Sequence, residues 1–208
     1  MIKTVFFDFD GVLTTDFNGS GNICRNLCFA IPGLSLQKVT DCYRKHCGRL
    51  LVEPVFYSEV WDEFCACAGE KISDEVMEKA VRTVSRNEET FELVQNLRRR
   101  YTIGMITDNS IERMNLVSAD MHLSDSFDPM VISASVCALK HDGTTTIFDA
   151  ALKAADSQPS ESIFIDNQER NLVTPSRMGI KTCWHDAAKN DIPALISALQ
   201  TYGVEIEQ

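Results

Sequence analysis

The chain has 208 residues, with 20 Lys plus Arg against 30 Asp plus Glu, for a formal net charge of −10. That balance repels phosphate backbones and anionic headgroups, which argues against sequence-independent binding to nucleic acid or to an anionic membrane. Hydrophobic residues at 44% and charged residues at 24% suit a folded globular chain, and no apolar run approaches the roughly 20 residues of a membrane helix.

Residues 2–9 form a short apolar run rich in β-branched and aromatic side chains that ends in Asp-Gly, the pattern of a strand buried on both faces. The opening is too short for a secretory signal and runs straight into acidic residues, so a cytoplasmic protein is expected. Residues 15–86 then break any strand pattern. Helical pieces are predicted over 22–30, 35–48, 57–68 and 73–84, with Ser35 and Ser73 as N-caps. From there strand and helix alternate. Strands are predicted over 101–106, 130–133, 162–165 and 180–184, and amphipathic helices over 89–100, 110–119, 144–155, 168–178 and 190–202. The pattern predicts an α/β domain with a Rossmann-like parallel sheet, helices on both faces, made of residues 1–14 and 87–208. Residues 15–86 would form a small all-helical domain inserted after the first strand. Six of the eight cysteines fall in the insertion, and none of their spacings makes a paired C-x2-C zinc pattern. They read as small buried hydrophobes of a reducing compartment, including Cys42 and Cys47, which flank His46.

The chemistry-bearing residues sit at strand ends. In Phe6-Phe7-Asp8-Phe9-Asp10-Gly11, two carboxylates two residues apart face the same way while Phe9 packs oppositely. Carboxylates 4 Å apart repel by about 4 kcal/mol at an effective dielectric of 20, and a hard divalent cation is the natural offset. Taken alone, Asp-x-Asp-Gly is also an ordinary solvated turn. The reading gains weight because three more clusters close later strands. Thr107-Asp108-Asn109-Ser110 offers a hydroxyl and backbone amides at a helix start, an anion site. Lys140 follows the third strand, and Asp166-Asn167 ends the fourth.

In order and spacing these clusters resemble the haloacid dehalogenase superfamily of phosphohydrolases along the whole chain. Asp8 to Thr14 is similar to its first motif, Thr107 to the second, Lys140 to the third and Asp166 to Leu172 to the fourth; residues 146–152 resemble the stretch that follows the third. The resemblance implies a sheet order 5-4-1-2-3 and makes the helical insertion a cap. It also implies a magnesium-dependent hydrolase of small phosphate monoesters, a phosphosugar or organic acid phosphate, acting through an aspartyl phosphate. Asp8 would be the nucleophile and Asp10 the acid and base. Thr107, backbone amides at Asp108 and Asn109, and Lys140 would hold the phosphate. Mg2+ would bind Asp8, the Asp10 carbonyl and Asp166. Two departures stand out. His141-Asp142-Gly143 replaces the proline-containing turn that usually follows the lysine, and Asn167 replaces a frequent second aspartate. A metal-free dehalogenase lacks the acid two residues after the nucleophile, so Asp10 speaks against one. A phosphomutase of the same superfamily and a non-catalytic protein with the same fold remain as alternatives. Within the cap, Arg25, Arg44, His46 and Arg49 are candidate substrate contacts, each also a natural solvated surface residue. A small phosphorylated metabolite is the expected partner, and the sequence is silent on oligomeric state.

Overall fold

The computed structural model describes residues 1–206. Its elements are β1 (Thr4–Phe7), α1 (Gly19–Ala30), α2 (Leu36–Cys47), α3 (Trp61–Ala68), α4 (Asp74–Arg82), α5 (Glu88–Leu97), β2 (Thr102–Thr107), α6 (Ile111–Met121), β3 (Met130–Ile132), α7 (Ser133–Val136), α8 (Thr146–Ala154), β4 (Ser162–Asp166), α9 (Glu169–Met178), β5 (Lys181–Trp184) and α10 (Ile192–Thr201). The five strands pair in parallel in the order β3-β2-β1-β4-β5, the same order as that expected. Central β1 pairs with β2 through Phe7↔Met105 and with β4 through Phe7↔Ile165, so the C-terminal ends of three strands lie side by side.

Side-chain alternation builds the two faces of this sheet. Val5 and Phe7 of β1 pack with Ile103, Met105, Ile163 and Ile165 under α5, α6 and α10. Phe6 points the other way, with Ile106 and Phe164, onto Ile147, Phe148 and Ala151 of α8 and Met178 of α9. Gly104 is where this second face is tightest: a Cβ there would lie 2.6 Å from Phe6 Cδ1 and 3.1 Å from the Pro129 carbonyl oxygen. Gly104→Ala is therefore expected to overpack the sheet and cost about 1–3 kcal/mol, read as a lower urea midpoint. An unchanged midpoint would contradict that packing.

Helices α1–α4 gather around a third apolar cluster, in which Leu27, Val39, Leu50, Trp61, Phe64 and Val81 are buried. The insertion is rooted at one place. Thr14 and Arg86 form an isolated antiparallel bridge, and the Asn87 N–H donates to the Leu13 carbonyl at 3.0 Å. Ser35 and Ser73 do cap α2 and α4. The expected helix over 57–68 is divided instead: a single 3-10 turn, Tyr57–Glu59, precedes α3, and Val60 between them leaves the helical region at φ −126°. The cysteine reading also needs correction. Cys42 of α2 and Cys67 of α3 form a disulfide with their Cα atoms 5.7 Å apart. Packing of the two helices brings together residues 25 apart in sequence, which spacing alone does not reveal. Cys24, Cys47 and Cys183 are buried free thiols as expected, whereas Cys137 is exposed. Among the described residues no helix is long and apolar enough to cross a membrane.

Candidate active site

The parallel arrangement sets Asp8 after β1, Thr107 at the end of β2, Lys140 beyond β3 and Asp166 at the end of β4, all at one sheet edge. Open α/β sheets bind ligands there. A cavity of about 450 Å³ lies at this edge, lined by Asp8, Asp10, Thr107, Asp108, Asn109 and Lys140. Its opposite wall comes from the helical insertion, with Gly19, Tyr43, Leu51 and Tyr57. Asp166 is fully buried behind Lys140.

Backbone geometry presents the two aspartates. The chain leaves β1 with the Asp8 N–H donating to the Ile165 carbonyl at 2.9 Å, and Asp8 Oδ1 accepts from the Phe9 N–H at 2.7 Å. Gly11 then turns at φ 82°, a conformation open to glycine. It also passes so close to Asn167 that a Cβ would meet its Nδ2 at 2.2 Å.

Lys140 joins the outer motifs. Its Nζ lies 2.7 Å from Asp8 Oδ1 and 2.7 Å from Asp166 Oδ2, with the lysine side chain 1% exposed. Burial opposes its charge, but Asp166, Asp8 and Asp108 together hold the ammonium pKa above the ordinary lysine range. The turn after it lacks prolines yet is well tied. Asp142 accepts from the Leu139 N–H at 2.9 Å and from the Thr144 N–H at 2.8 Å, and Asp108 Oδ1 accepts from the Lys140 N–H at 3.0 Å. Asp166 is fixed by the Gln168 N–H at 2.7 Å and by Asn171 Nδ2 at 3.1 and 3.0 Å. The Asp8 carboxyl is pushed well above the usual carboxylate range, first by burial and then by Asp166, with Lys140 pulling the other way.

Asp10 is paired differently from Asp8 and Asp166. Its carboxylate is turned to Arg113, whose Nη1 and Nη2 each donate to it at 2.8 Å, and to Asn109 Nδ2 at 2.9 Å. Among the described residues no three His, Cys, Asp or Glu side chains gather as a metal site. Arg113 escaped the sequence reading. Its signal was an arginine on the buried stripe of α6, next to Met114, one helical turn before Val117 and three residues after the N-cap Ser110. In the loop after β2 the Asn109 N–H donates to Ser133 Oγ at 2.9 Å, so this amide is already engaged. Ser133, likewise unforeseen, donates to the Leu51 carbonyl at 2.6 Å and so joins this loop to the insertion. Thr107 Oγ1 accepts from Asn109 Nδ2 at 3.2 Å and lines the cavity as expected.

Of the cap residues offered as substrate contacts, Arg25, His46 and Arg49 stand outside the cavity and face Asp16, Glu63 and Glu53. Arg44 lines an adjoining cavity of about 360 Å³ that shares Asn18, Ser20, Tyr43 and Leu51 with the first.

The donor set suits magnesium. Asp8 and Asp166 offer hard carboxylate oxygens, and beside them the side-chain oxygens of Asn167 and Asn171 are buried without a hydrogen-bond partner. Three buried carboxylates (Asp8, Asp10, Asp166) face two buried cations (Lys140, Arg113), leaving one negative charge in excess.

A carboxylate–lysine–carboxylate set thus lies at the C-terminal edge of a parallel sheet, covered by helices inserted after the first strand. The chain belongs to the haloacid dehalogenase-like hydrolase family, which it matches over residues 5–185. It is similar in fold to a HAD-like family hydrolase from Porphyromonas gingivalis, with TM-score 0.78 and 21% identity over 96% of this chain and 98% of that one. A HAD family enzyme from Bacteroides thetaiotaomicron, in complex with magnesium and inorganic phosphate, gives TM-score 0.75 and 20% identity over 90% and 96%. The L-2-haloacid dehalogenase of Xanthobacter autotrophicus, with chloropropionic acid covalently bound, gives 0.66 and 15% over 100% and 91%. At such identities the likeness concerns the fold. No curated protein matches the sequence.

Proposed function

We propose that this hydrolase cleaves small phosphate monoesters through a phosphorylated Asp8. The observation that carries the reading is the presence on one cavity of two buried aspartates, Asp8 and Asp10, with Lys140 and Thr107 beside them. A displacement at carbon needs only the first aspartate, whereas expulsion of an alkoxide from phosphorus needs an acid as well. An Asp8 oxygen bonds to phosphorus as the ester P–O bond breaks, and the proton of Asp10 goes to the departing alkoxide. Water then attacks the aspartyl phosphate, Asp10 takes the proton that water loses, and inorganic phosphate leaves with Asp8 restored. Lys140 and Thr107 hold phosphate oxygens, where positioning and charge do most of the work. Magnesium, held by Asp8, the Asp10 carbonyl and Asp166, would supply the charge that lets one anion approach another. A cavity of about 450 Å³, walled by both core and cap, suits a phosphosugar or organic acid phosphate. The magnesium complex of the Bacteroides thetaiotaomicron relative agrees with this reading.

Turnover of p-nitrophenyl phosphate is expected to disappear with EDTA and return with magnesium. Asp166→Asn, which keeps an acceptor for the Gln168 N–H, should raise the magnesium requirement about 10–100-fold. Full activity after exhaustive chelation would contradict the reading. A screen of phosphorylated metabolites with magnesium then identifies the substrate.

A further inference from the structure

The reaction above leaves unused the Cys42–Cys67 disulfide, which ties α2 to α3. Its two ends differ in access. Cys42 is 3% exposed in the apolar cluster of the insertion, whereas Cys67 is only partly buried. The residue after Cys42 is Tyr43, which lines both the catalytic cavity and the adjoining one. The Tyr43 ring packs edge-on against Phe64 of α3, with centroids 6.0 Å apart. Its hydroxyl lies 2.6 Å from that of Tyr57, another cavity residue. Tyr57 is in turn fixed to the core, since its N–H donates to Glu112 of α6 at 2.8 Å. The disulfide therefore clamps the helix that carries Tyr43 onto a segment that the core holds. The insertion also contains four free cysteines, Cys24, Cys28, Cys47 and Cys65. Burial pushes the Cys24 thiol up to about 11 and that of Cys47 up to about 12, so both stay protonated at neutral pH and attack the disulfide poorly. A thiolate from outside the protein has Cys67 to attack instead.

From this we infer that Cys42–Cys67 is a thiol–disulfide exchange site for a dithiol reductant, and that its oxidation state sets the affinity of the cavity for the ester. A thiolate of the reductant attacks Cys67 Sγ, the S–S bond breaks, and Cys42 Sγ leaves with the bonding pair and takes a proton. The reductant's second thiol loses its proton and displaces Cys67 from the mixed disulfide, and Cys67 takes a proton in turn. Both cysteines are then reduced and the dithiol is oxidised to a disulfide. Without the bond α2 is free to shift against α3 and carries Tyr43 with it. Asp8, Lys140 and Asp166 keep their contacts with one another, since none belongs to the insertion. The effect therefore falls on KM more than on kcat. The inference rests on the phosphatase reading, since it concerns how the cavity of that reaction holds its ester.

Dithiothreitol serves as the dithiol, and p-nitrophenyl phosphate with magnesium as the substrate. Samples with and without dithiothreitol are assayed for KM and kcat, followed by melting curve, and alkylated with iodoacetamide in denaturant for peptide mass spectrometry. Cys42 and Cys67 should be alkylated only after reduction. In the reduced protein KM should rise about 5-fold or more while kcat stays within about twofold, and oxidised dithiothreitol should restore the first value. Cys67→Ala should show the raised KM without reductant and no further response to it. Cys137→Ser, which removes the exposed free thiol, should respond as wild type does. An unchanged KM in fully reduced protein would overturn the inference, as would Cys42 and Cys67 alkylated before any reduction. A fall in kcat that merely tracks the folded fraction would make the bond structural and overturn it too. If Cys67→Ala does not fold, reduced wild type decides by the same comparison. A wild type that cleaves no ester in either state fails the phosphatase reading itself and removes the inference with it, an outcome distinct from an active enzyme indifferent to dithiothreitol.

Discussion

Asp8→Asn is expected to lower phosphate ester turnover by about 10⁴-fold or more while the protein stays folded, since removing a nucleophile takes away the step on which the others depend. The amide is nearly isosteric and can still accept the Phe9 N–H that Asp8 Oδ1 accepts at 2.7 Å. Lys140 keeps its partner Asp166 at 2.7 Å, so no buried cation is stranded. The Asp8 carboxylate is itself disfavoured by burial and by Asp166, so a neutral group there should leave the melting temperature equal or higher. Activity with p-nitrophenyl phosphate and a melting curve check both halves. Wild-type turnover in folded Asp8→Asn would sink the mechanism.

The second large effect is on stability. In Lys140→Met the ammonium that bridges Asp8 and Asp166 is lost, and both carboxylates stay buried facing each other. Breaking a buried ion pair from one side costs about 3–5 kcal/mol, because the remaining charge has neither partner nor water. Urea unfolding at neutral pH should show that loss, and turnover should vanish with it. Lys140→Met combined with Asp8→Asn should recover part of the stability and none of the activity. A single variant as stable as wild type would mean that Lys140 does not neutralise the pair.

What was legible in the sequence follows from what each residue depends on. Asp8, Thr107 and Asp166 were readable because each stands at a strand end, and Lys140 because it follows one, and a parallel sheet brings strand ends to one edge whatever lies between them. Burial of β1 on both faces showed in the apolar run Val5-Phe6-Phe7. Caps at Ser35 and Ser73 were local and readable for the same reason. By contrast, Arg113 meets Asp10 across 103 positions, and nothing local to either residue announces the partner. That pairing holds the Asp10 carboxylate toward α6. Ser133 joins the second motif to Leu51 of the insertion across 82 positions, again a tertiary fact. The Cys42–Cys67 disulfide depends on how α2 and α3 pack, which their apolar stripes leave open. At the third motif, Asp142 ties the turn that departs from the usual pattern by accepting from the Leu139 and Thr144 N–H groups.

The account turns on phosphate becoming covalently attached to Asp8. The direct measurement is to mix the protein with magnesium and a phosphate ester, quench with borohydride, which reduces an acyl phosphate to the alcohol, and sequence the N-terminal peptide by mass spectrometry. The account predicts Asp8 converted to homoserine, dependent on ester and magnesium and absent from Asp8→Asn. Active protein with Asp8 unmodified, or with the reduction at another carboxylate, would contradict it.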